Sequence, residues 1–202
     1  MKLPPKAVAD IVRRALREDI GDGDLTSRIL PNNTPVTARI VAKQKMIFCG
    51  IPVAREVFSQ RKCRLVASEK EGGTVRSGTV VARISGRVRD VLGAERVALN
   101  FLQHLSGVAT LTSEYVRKAS PARIYDTRKT LPGLRILQKY AVKCGGGWNH
   151  RRGLHDQVLI KDNHLEVLSR NQLRDRLSKM PRPVEIEAAT ENQALFFATL
   201  PV

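Results

Sequence analysis

The sequence predicts an α/β protein, in which an N-terminal α+β domain over residues 1–107 is followed by an incomplete, open β/α barrel over residues 108–202. The N-terminal part combines an amphipathic helical stripe with short β-branched runs that glycines separate. Brief apolar runs then alternate with helical segments, as in β/α units. About eight strands close such a barrel, and the few strand-like runs after residue 108 predict only part of one.

The predicted N-terminal domain begins with a helix and a turn. Residues 5–18 place apolar side chains on one stripe and arginines elsewhere, which predicts an amphipathic helix. The Gly/Asp-rich stretch 19–24 lacks the alternating oxygen ligands and the distal glutamate of a calcium loop. We therefore expect a turn there, followed by a capped segment at Thr26 and Ser27.

Strands and one short helix are predicted next. Residues 37–49 are rich in β-branched and apolar side chains, which favours a strand. Residues 51–59 predict a short helix, because Pro52 suits a first helical turn. Further strands are predicted at 64–68, 79–84 and 87–91.

A helical pattern at 94–118, in which Gly107 is interpreted as either a break or a point of close packing, leads from the first predicted domain to the second. The second domain is then predicted to alternate strands and helices. Strands are predicted at 122–125, 157–160 and 184–186, and helices at 134–142 and 167–177. Parallel β/α units bind ligands at the carboxyl ends of their strands, so the residues that follow these strands are candidates for a site.

Charge narrows the classes of partner. The chain has 35 Lys+Arg and 19 Asp+Glu, a formal net charge of +16, so its partner is expected to be a nucleic acid, an anionic membrane surface or an anionic small substrate. The positive charge is spread along the chain, and only 4% of residues are aromatic. Because no known motif for reading bases is present, the sequence argues against nucleic-acid binding.

The apolar residues and the cysteines argue against a membrane-spanning, a secreted and a disulfide-stabilised protein. No apolar run approaches the ~20 residues that a membrane span requires, and the N-terminus lacks the pattern of a secretory signal. The 3 cysteines contain no C-x-x-C pair, which argues against a disulfide framework and a cysteine-based zinc site. These features favour a reducing, cytoplasmic location.

Each predicted strand of the second domain runs directly into charged residues, at 126–130, 161–164 and 185–187. Between the first two lies 144–151, a glycine run that leads into cations. Consecutive glycines let backbone N–H groups approach an anion, while Arg and Lys bind carboxylate and phosphate groups. Each feature alone is more often a solvated loop or a structural histidine, but together they predict an anion-binding pocket. Its predicted members are Arg128, Lys129, His150, Arg151 and Lys161.

Several segments resemble the quinolinate phosphoribosyltransferase family. The resemblance in the second half lies in DTRKTLPGLR at 126–135, QKYAVKCGGG at 138–147, NHR at 149–151 and LIKDNH at 159–164. In the first half, EDIGDGDLT at 18–26, Gly50 and GAERVALN at 93–100 resemble the family's N-terminal domain and linking helix. A related family associated with molybdenum transport shares the TRKT motif, but the KDNH segment favours the quinolinate enzymes.

The resemblance implies a pentosyltransferase of NAD biosynthesis. Quinolinate and phosphoribosyl pyrophosphate would give nicotinate mononucleotide, pyrophosphate and carbon dioxide, with Mg²⁺ as cofactor. Both substrates are polyanions, which agrees with a cationic pocket. The resemblance further implies a cytoplasmic homodimer or higher homo-oligomer that has neither a nucleic-acid nor a membrane partner.

Roles for single residues are also implied by the resemblance. The implied substrate-binding residues are Arg96, Thr127, Arg128, Lys129, His150, Arg151, Lys161 and Glu187. Lys129, Lys161 and Glu187 are the implied catalytic residues, and Arg96 resembles an arginine that is donated across a dimer interface. Glu187 resembles the carboxylate near the ribose and the metal. Glu185 is equally well interpreted as a site residue and as a paired structural acid.

Two departures from the family pattern leave an alternative open. Arg152 stands where the family commonly has an apolar residue. Only residues 188–202 follow Glu187, so we expect the family's later strands, with a metal-associated Asp and a glycine-rich phosphate loop, to be missing. The alternative function is a catalytically impaired, truncated family member that acts as a binding or dimerisation fragment.

Overall fold

A computed structural model describes residues 2–200 of the chain. Its contacts divide the chain into two compact units, Met1–His150 and Arg151–Val202. The units contain both helices and strands, which confirms the predicted α/β class. The predicted domain boundary between residues 107 and 108 stays a prediction.

Helix α1 spans Pro5–Ile20 and buries one stripe of apolar side chains in the core of the first unit. The stripe consists of Val8, Ile11, Val12 and Leu16. These positions are three, four or one residue apart, the spacing that brings side chains to one face of a helix. The helix ends at Gly21, whose φ of 51° lies in the region that favours glycine, and whose N–H donates to the Arg17 carbonyl. The helix predicted from the periodicity is thus confirmed.

The turn after α1 is organised by Asp24. Asp24 accepts hydrogen bonds from the Ser27 backbone N–H, at 3.0 Å, and from the Ser27 hydroxyl. The residues Thr26–Ile29 then form a short 3₁₀ helix. Because these hydrogen bonds stabilise the carboxylate, they lower the pKa of Asp24.

In the described part of the first unit, five strands pair antiparallel in two small sheets. They are β1 (Pro35–Val41), β2 (Met46–Ile47), β3 (Arg64–Ala67), β4 (Thr74–Val75) and β5 (Val80–Arg87). Strand β5 lies between β1 and β3, while β2 pairs with β4. The strand predicted at 37–49 is therefore divided between two sheets. Ile84, at the centre of β5, is buried and lies opposite Ala38 on one side and Leu65 on the other.

Three helices complete the first unit. Helices α2 (Ile51–Gln60) and α4 (Arg135–Cys144) both pack against α3 (Val88–Ala119). The strand predicted at 87–91 is wrong, because Val88 already begins α3 and Val91 contributes to its buried stripe. Neither interpretation of Gly107 holds, since α3 continues through this residue and a Cβ atom there would meet nothing within 4 Å. Short apolar runs occur both in strands and in buried helices, and here the buried stripe along α3 shows that the segment is helical.

The strand predicted at 122–125 is reduced to a single contact. Tyr125 forms one isolated parallel bridge with Trp148, and the other three residues lie outside any strand. Arg123 and Lys143 each place their cationic group over the Trp148 ring, at 4.6 Å and 4.5 Å from its centroid. Cations favour the electron-rich face of an indole, so Trp148 links these side chains at the start of the loop.

The second unit alternates strands and helices as predicted. Strands β6 (Val158–Ile160) and β7 (Val184–Ile186) pair in parallel, with Ile160 opposite Ile186. The helices are α5 (Asp162–Leu165), α6 (Arg170–Leu177) and α7 (Glu191–Phe197). The helix predicted at 167–177 starts at Arg170, because the Ser169 side chain caps it by accepting from the Gln172 N–H. Among residues 2–200, no helix is long and apolar enough to cross a membrane.

Candidate active site

A buried carboxylate anchors the loop that follows Tyr125. Asp126 accepts a hydrogen bond at Oδ1 from Nζ of Lys139, a residue of α4. The side chains of Lys139 and Asp126 are 1% and 8% exposed. Burial removes water from both charges, so each needs the other as its partner.

The same carboxylate holds the segment that follows the glycine run. Asn149 donates from Nδ2 to Oδ2 of Asp126 at 2.6 Å, and the His150 backbone N–H donates to Oδ1 at 2.9 Å. Lys139 in turn donates to the His150 carbonyl oxygen at 2.9 Å. These charge-assisted hydrogen bonds fix the backbone of His150 next to the Asp126 loop.

The glycine run 145–147 packs against helices and does not present its amides to a ligand. The N–H groups of Gly145, Gly146 and Gly147 donate to the carbonyl oxygens of Ala141, Lys143 and Val142. A Cβ atom at Gly147 would lie 2.7 Å from Cγ1 of Val142. The predicted role of these glycines in anion binding is therefore wrong, and they are glycines because the loop turns tightly against α3 and α4.

Two of the predicted site residues line a small cavity in the first unit. The cavity has a volume of about 170 Å³, and its lining includes Asp126, Thr127, Lys129 and Lys139. Thr127 accepts at Oγ1 a hydrogen bond from the Lys129 N–H at 3.0 Å, which shapes the loop between them. The Lys129 side chain is exposed. The loop thus presents a cation next to the buried carboxylate.

Arg128 lies between Thr127 and Lys129 in this loop, and its guanidinium group includes a buried nitrogen. Its Nε is buried and makes no hydrogen bond with any residue in the part of the chain that the structure describes. A buried donor without a partner is costly, and an anionic ligand would satisfy it. Arg96 lies apart in sequence on α3, where it is exposed.

In the second unit, the structure brings together two of the predicted catalytic residues. Lys161 follows β6 and donates from Nζ to Oε1 of Glu187, which follows β7, at 2.7 Å. The register explains the contact, because the Glu187 N–H donates to the Ile160 carbonyl oxygen and so continues the parallel pairing by one residue. The two side chains are 39% and 54% exposed, so both remain accessible to a ligand.

The neighbours of this pair have mainly local contacts. Glu185 accepts at Oε1 from Nε2 of Gln157 at 2.5 Å, which supports the interpretation of Glu185 as a paired acid. His164 accepts at Nδ1 from the Lys161 N–H and thereby closes the turn into α5. Arg151 is buried, whereas Arg152 is exposed and holds Asp156 through its backbone N–H at 2.8 Å.

Sequence reasoning missed Lys139 and Asn149 as parts of the anchor and gave Asp126 no role in it. A signal for Lys139 exists, because it stands between Leu137 and Tyr140 within the buried residues of α4. A lysine at such a position requires a buried anion. Asp126, the first acid after a predicted strand, is the natural candidate.

The carboxylate of Glu187 fits the expected magnesium ion as a single ligand. Mg²⁺ commonly takes one or two protein carboxylates and completes its octahedron with water and substrate phosphates. One oxygen of Glu187 is bound to Lys161, and the side chain is exposed enough for the other to meet a hydrated ion. Among the described residues, only Cys49, Glu71 and Cys144 bring three ligand atoms together, and this sulfur-containing set does not suit magnesium.

Two family models match the sequence and together cover most of it. The model "Quinolinate phosphoribosyl transferase, N-terminal domain" matches residues 24–106. The model "Quinolinate phosphoribosyl transferase, C-terminal domain" matches residues 108–198.

Curated relatives of the chain are named nicotinate-nucleotide pyrophosphorylase or quinolinate phosphoribosyltransferase. A probable nicotinate-nucleotide pyrophosphorylase (carboxylating) of Bacillus subtilis is 42% identical over 185 residues, which are 87% of this chain and 64% of the relative. One of Synechocystis is 40% identical over 199 residues, or 94% of this chain and 67% of the relative. Across the curated relatives compared, the chain spans from 48% to 71% of their length.

Solved structures show the same similarity. The nicotinate-nucleotide pyrophosphorylase from Francisella tularensis superposes with a TM-score of 0.89 at 37% identity and covers 96% of this chain, while 71% of that structure is matched. NadC from Streptococcus pyogenes superposes with a TM-score of 0.89 at 35% identity, over 96% of this chain and 72% of that structure.

Proposed function

This chain belongs to the quinolinate phosphoribosyl transferase family, and we propose that it transfers the phosphoribosyl group of phosphoribosyl pyrophosphate to quinolinate. The products would be nicotinate mononucleotide, pyrophosphate and carbon dioxide. The observation that carries the proposal is the loop 127–129, in which Arg128 has a buried, unpartnered Nε and Lys129 lines a cavity beside an anchored carboxylate.

Quinolinate would bind at this loop through its two adjacent carboxylates. The guanidinium of Arg128 can bind one carboxylate with two parallel hydrogen bonds, and the Lys129 ammonium supplies a second point charge. The Asp126–Lys139 pair supports the proposal indirectly, since it fixes the backbone from which both cations project. A rigid loop retains the orientation of the cations when the ligand is absent, which lowers the entropic cost of binding.

The Lys161–Glu187 pair would serve the second substrate. Because the pair is exposed, Lys161 can exchange Glu187 for a phosphate oxygen without leaving a buried charge behind. Glu187 would then hold a ribose hydroxyl or a hydrated magnesium ion. When bound, magnesium neutralises charge on the pyrophosphate, while Lys161 stabilises the negative charge that develops as this group departs.

The two bond changes follow in sequence. The ring nitrogen of quinolinate attacks C1 of the ribose, so a C–N bond forms and the C–O bond to pyrophosphate breaks. The ring nitrogen then has a positive charge, which stabilises the electron pair left on the adjacent carbon when the neighbouring carboxylate leaves as carbon dioxide. A proton taken up at that carbon completes nicotinate mononucleotide.

We propose that the chain acts in the cytoplasm and that its protein partner is a second copy of the same chain. Arg96 is exposed on α3, as a residue that serves another subunit has to be. The same helix exposes the apolar side chains of Leu92, Leu111 and Tyr115. Apolar groups on one helix favour association.

The test measures binding and turnover separately on the 202-residue chain. Calorimetry gives the affinity for quinolinate, and chromatography follows nicotinate mononucleotide formed with phosphoribosyl pyrophosphate and magnesium. We expect Arg128→Ala to weaken quinolinate binding by about 2–5 kcal/mol, the range for removing one partner of a buried charge pair. Arg14→Ala is the matched control, because Arg14 is an exposed arginine of α1.

Three results would contradict parts of the proposal. Unchanged affinity in Arg128→Ala would remove Arg128 from the quinolinate site. Quinolinate binding without product would favour the alternative, a binding or dimerisation fragment. Product formed at full rate by a strictly monomeric protein would remove Arg96 of a second copy from the site.

A further inference from the structure

Two thiols and a carboxylate converge in the first unit, away from the cavity beside Asp126. Cys49 directly precedes Gly50 and α2, Cys144 is the last residue of α4, and Glu71 lies between β3 and β4. Both Sγ atoms and a carboxylate oxygen lie within 4.8 Å of one another. Residues far apart in sequence therefore place two sulfur atoms almost in contact, and all three cysteines are free thiols.

The Glu71 carboxylate accepts hydrogen bonds from the backbone and also from the Cys144 thiol, whose Sγ lies 4.0 Å from Oε1. Its Oε1 accepts from the Gly50 N–H at 2.5 Å, and its Oε2 accepts from the Ile51 N–H at 2.9 Å. These N–H groups open α2 and have no carbonyl partner within the helix, so the carboxylate satisfies them. A metal ion would have to displace these bonds, so the geometry favours chemistry between the two sulfur atoms.

The two cysteines differ in exposure and in acidity. Cys49 is completely buried, whereas Cys144 is partly exposed. A hydrogen bond from the Cys49 thiol lowers the pKa of Cys144 and outweighs the opposing effects of burial and of the Glu71 charge. The same bond, together with burial, raises the pKa of Cys49. The thiolate, which is the reactive form, is thus favoured on the less buried of the two cysteines.

We propose that Cys144 and Cys49 form an oxidisable dithiol, in which Cys144 reacts with a peroxide and Cys49 then closes a disulfide. In the first step the Cys144 thiolate attacks an oxygen of hydrogen peroxide and the O–O bond breaks. Cys144 becomes a sulfenic acid, and the hydroxide that leaves takes up a proton to form water. In the second step the sulfur of Cys49 attacks the sulfur of Cys144, so that an S–S bond forms and the S–O bond breaks.

The atoms and electrons of this sequence balance. The hydroxyl group leaves Cys144 and takes the proton of Cys49, which gives a second water. Two thiols have lost two electrons, and one peroxide has gained them. A partly exposed cysteine with a lowered pKa next to a second thiol is typical of redox-sensitive cysteines, and thiols in the cell reverse such bonds.

The disulfide would be joined directly to the anchor of the candidate active site. Cys144 is followed by the close-packed glycines 145–147 and then by Asn149 and His150, which bind Asp126. Lys139 lies on the same helix as Cys144. Oxidation therefore acts on the segment that positions the loop 127–129.

The test exposes the reduced, folded protein to hydrogen peroxide and follows the products by peptide mass spectrometry. We expect a cross-linked peptide pair containing Cys49 and Cys144, with the loss of two hydrogen atoms. When a sulfenic-acid trap such as dimedone is present, the adduct should form on Cys144. Cys49→Ser should accumulate that adduct, and Cys144→Ser should form neither product.

Cys63 provides the matched control. It is buried, and its thiol donates to the Arg61 carbonyl oxygen at 3.4 Å. Cys63→Ser should cross-link at the parent rate. Should a serine variant fail to fold, a time course on the unaltered protein serves instead, in which the Cys144 adduct has to precede the cross-link.

Three outcomes would overturn the proposal. The first is that the trap reacts with Cys49 before it reacts with Cys144. The second is that the cross-link forms only after the protein is unfolded in urea. The third is that a stoichiometric zinc ion binds and protects both thiols from peroxide.

Discussion

The two units each contain a lysine–carboxylate pair, and these pairs differ chiefly in burial. Lys139 and Asp126 are 1% and 8% exposed, whereas Lys161 and Glu187 are 39% and 54% exposed. A buried pair cannot give up one partner without leaving a charge away from water. An exposed pair can, since water replaces the lost partner. The first pair therefore holds the loop in place, and the second remains available to a ligand.

The largest effect expected from this difference is on stability. Lys139→Met keeps the length of the side chain but leaves Asp126 buried without its cation, so we expect a loss of about 3–5 kcal/mol in the free energy of unfolding. Lys161→Met should lose only about 0–1 kcal/mol. Urea unfolding followed by circular dichroism measures both values. Equal losses in the two variants would show that burial does not separate the roles of the pairs.

The glycine run tests whether the segment around the buried pair is as rigid as its contacts indicate. A Cβ atom at Gly147 would lie 2.7 Å from Cγ1 of Val142 and 2.9 Å from Cγ2 of Thr112. We expect Gly147→Ala to lower the free energy of unfolding by about 1–3 kcal/mol, the usual cost of overpacking. The measurement is again urea unfolding.

Gly107→Ala is the control for this substitution. Gly107 lies within α3, and a Cβ atom there would meet nothing within 4 Å. Alanine is the better helix former, so this variant should be more stable by about 0.5–1 kcal/mol. If Gly147→Ala were as stable as Gly107→Ala, the loop would be loosely packed and the glycines would need another explanation.

The sequence predicts the second unit better than the loop before it, and the reason is physical. Strands β6 and β7 are short and are each followed by a charged residue, so the closeness of Lys161 to Glu187 follows from their parallel pairing. The pairing places the two residues together, while their roles in catalysis stay predictions.

The anchor of the first unit depends on contacts between distant segments, which local patterns do not show. In the sequence, Lys139 resembles a solvated lysine of an amphipathic helix, and only the structure shows Asp126 next to it. In the sequence, the glycine run resembles an anion-binding loop, but in the structure its N–H groups donate to carbonyl oxygens at the end of α4. The strand predicted at 122–125 needs a partner strand along its length, and it finds only Trp148.

The smallest expected effect is on the free energy of unfolding when Asp156, an exposed residue of the second unit, loses its charge. Asp156 accepts hydrogen bonds from the backbone N–H groups of Arg152 and Gly153, and these lower its pKa from 3.8 to about 2. A carboxyl group with a lowered pKa in the folded protein stabilises the fold above its unfolded pKa, and this contribution disappears as the pH falls from about 4 to about 2. Because solvent screens the site, we expect Asp156→Asn to cost less than about 1 kcal/mol at neutral pH. The difference in unfolding free energy between the parent and the variant should shrink towards about pH 2, measured by urea titrations across this range. A difference that stays constant with pH would show that Asp156 acts through the shape of its turn and that its charge contributes nothing.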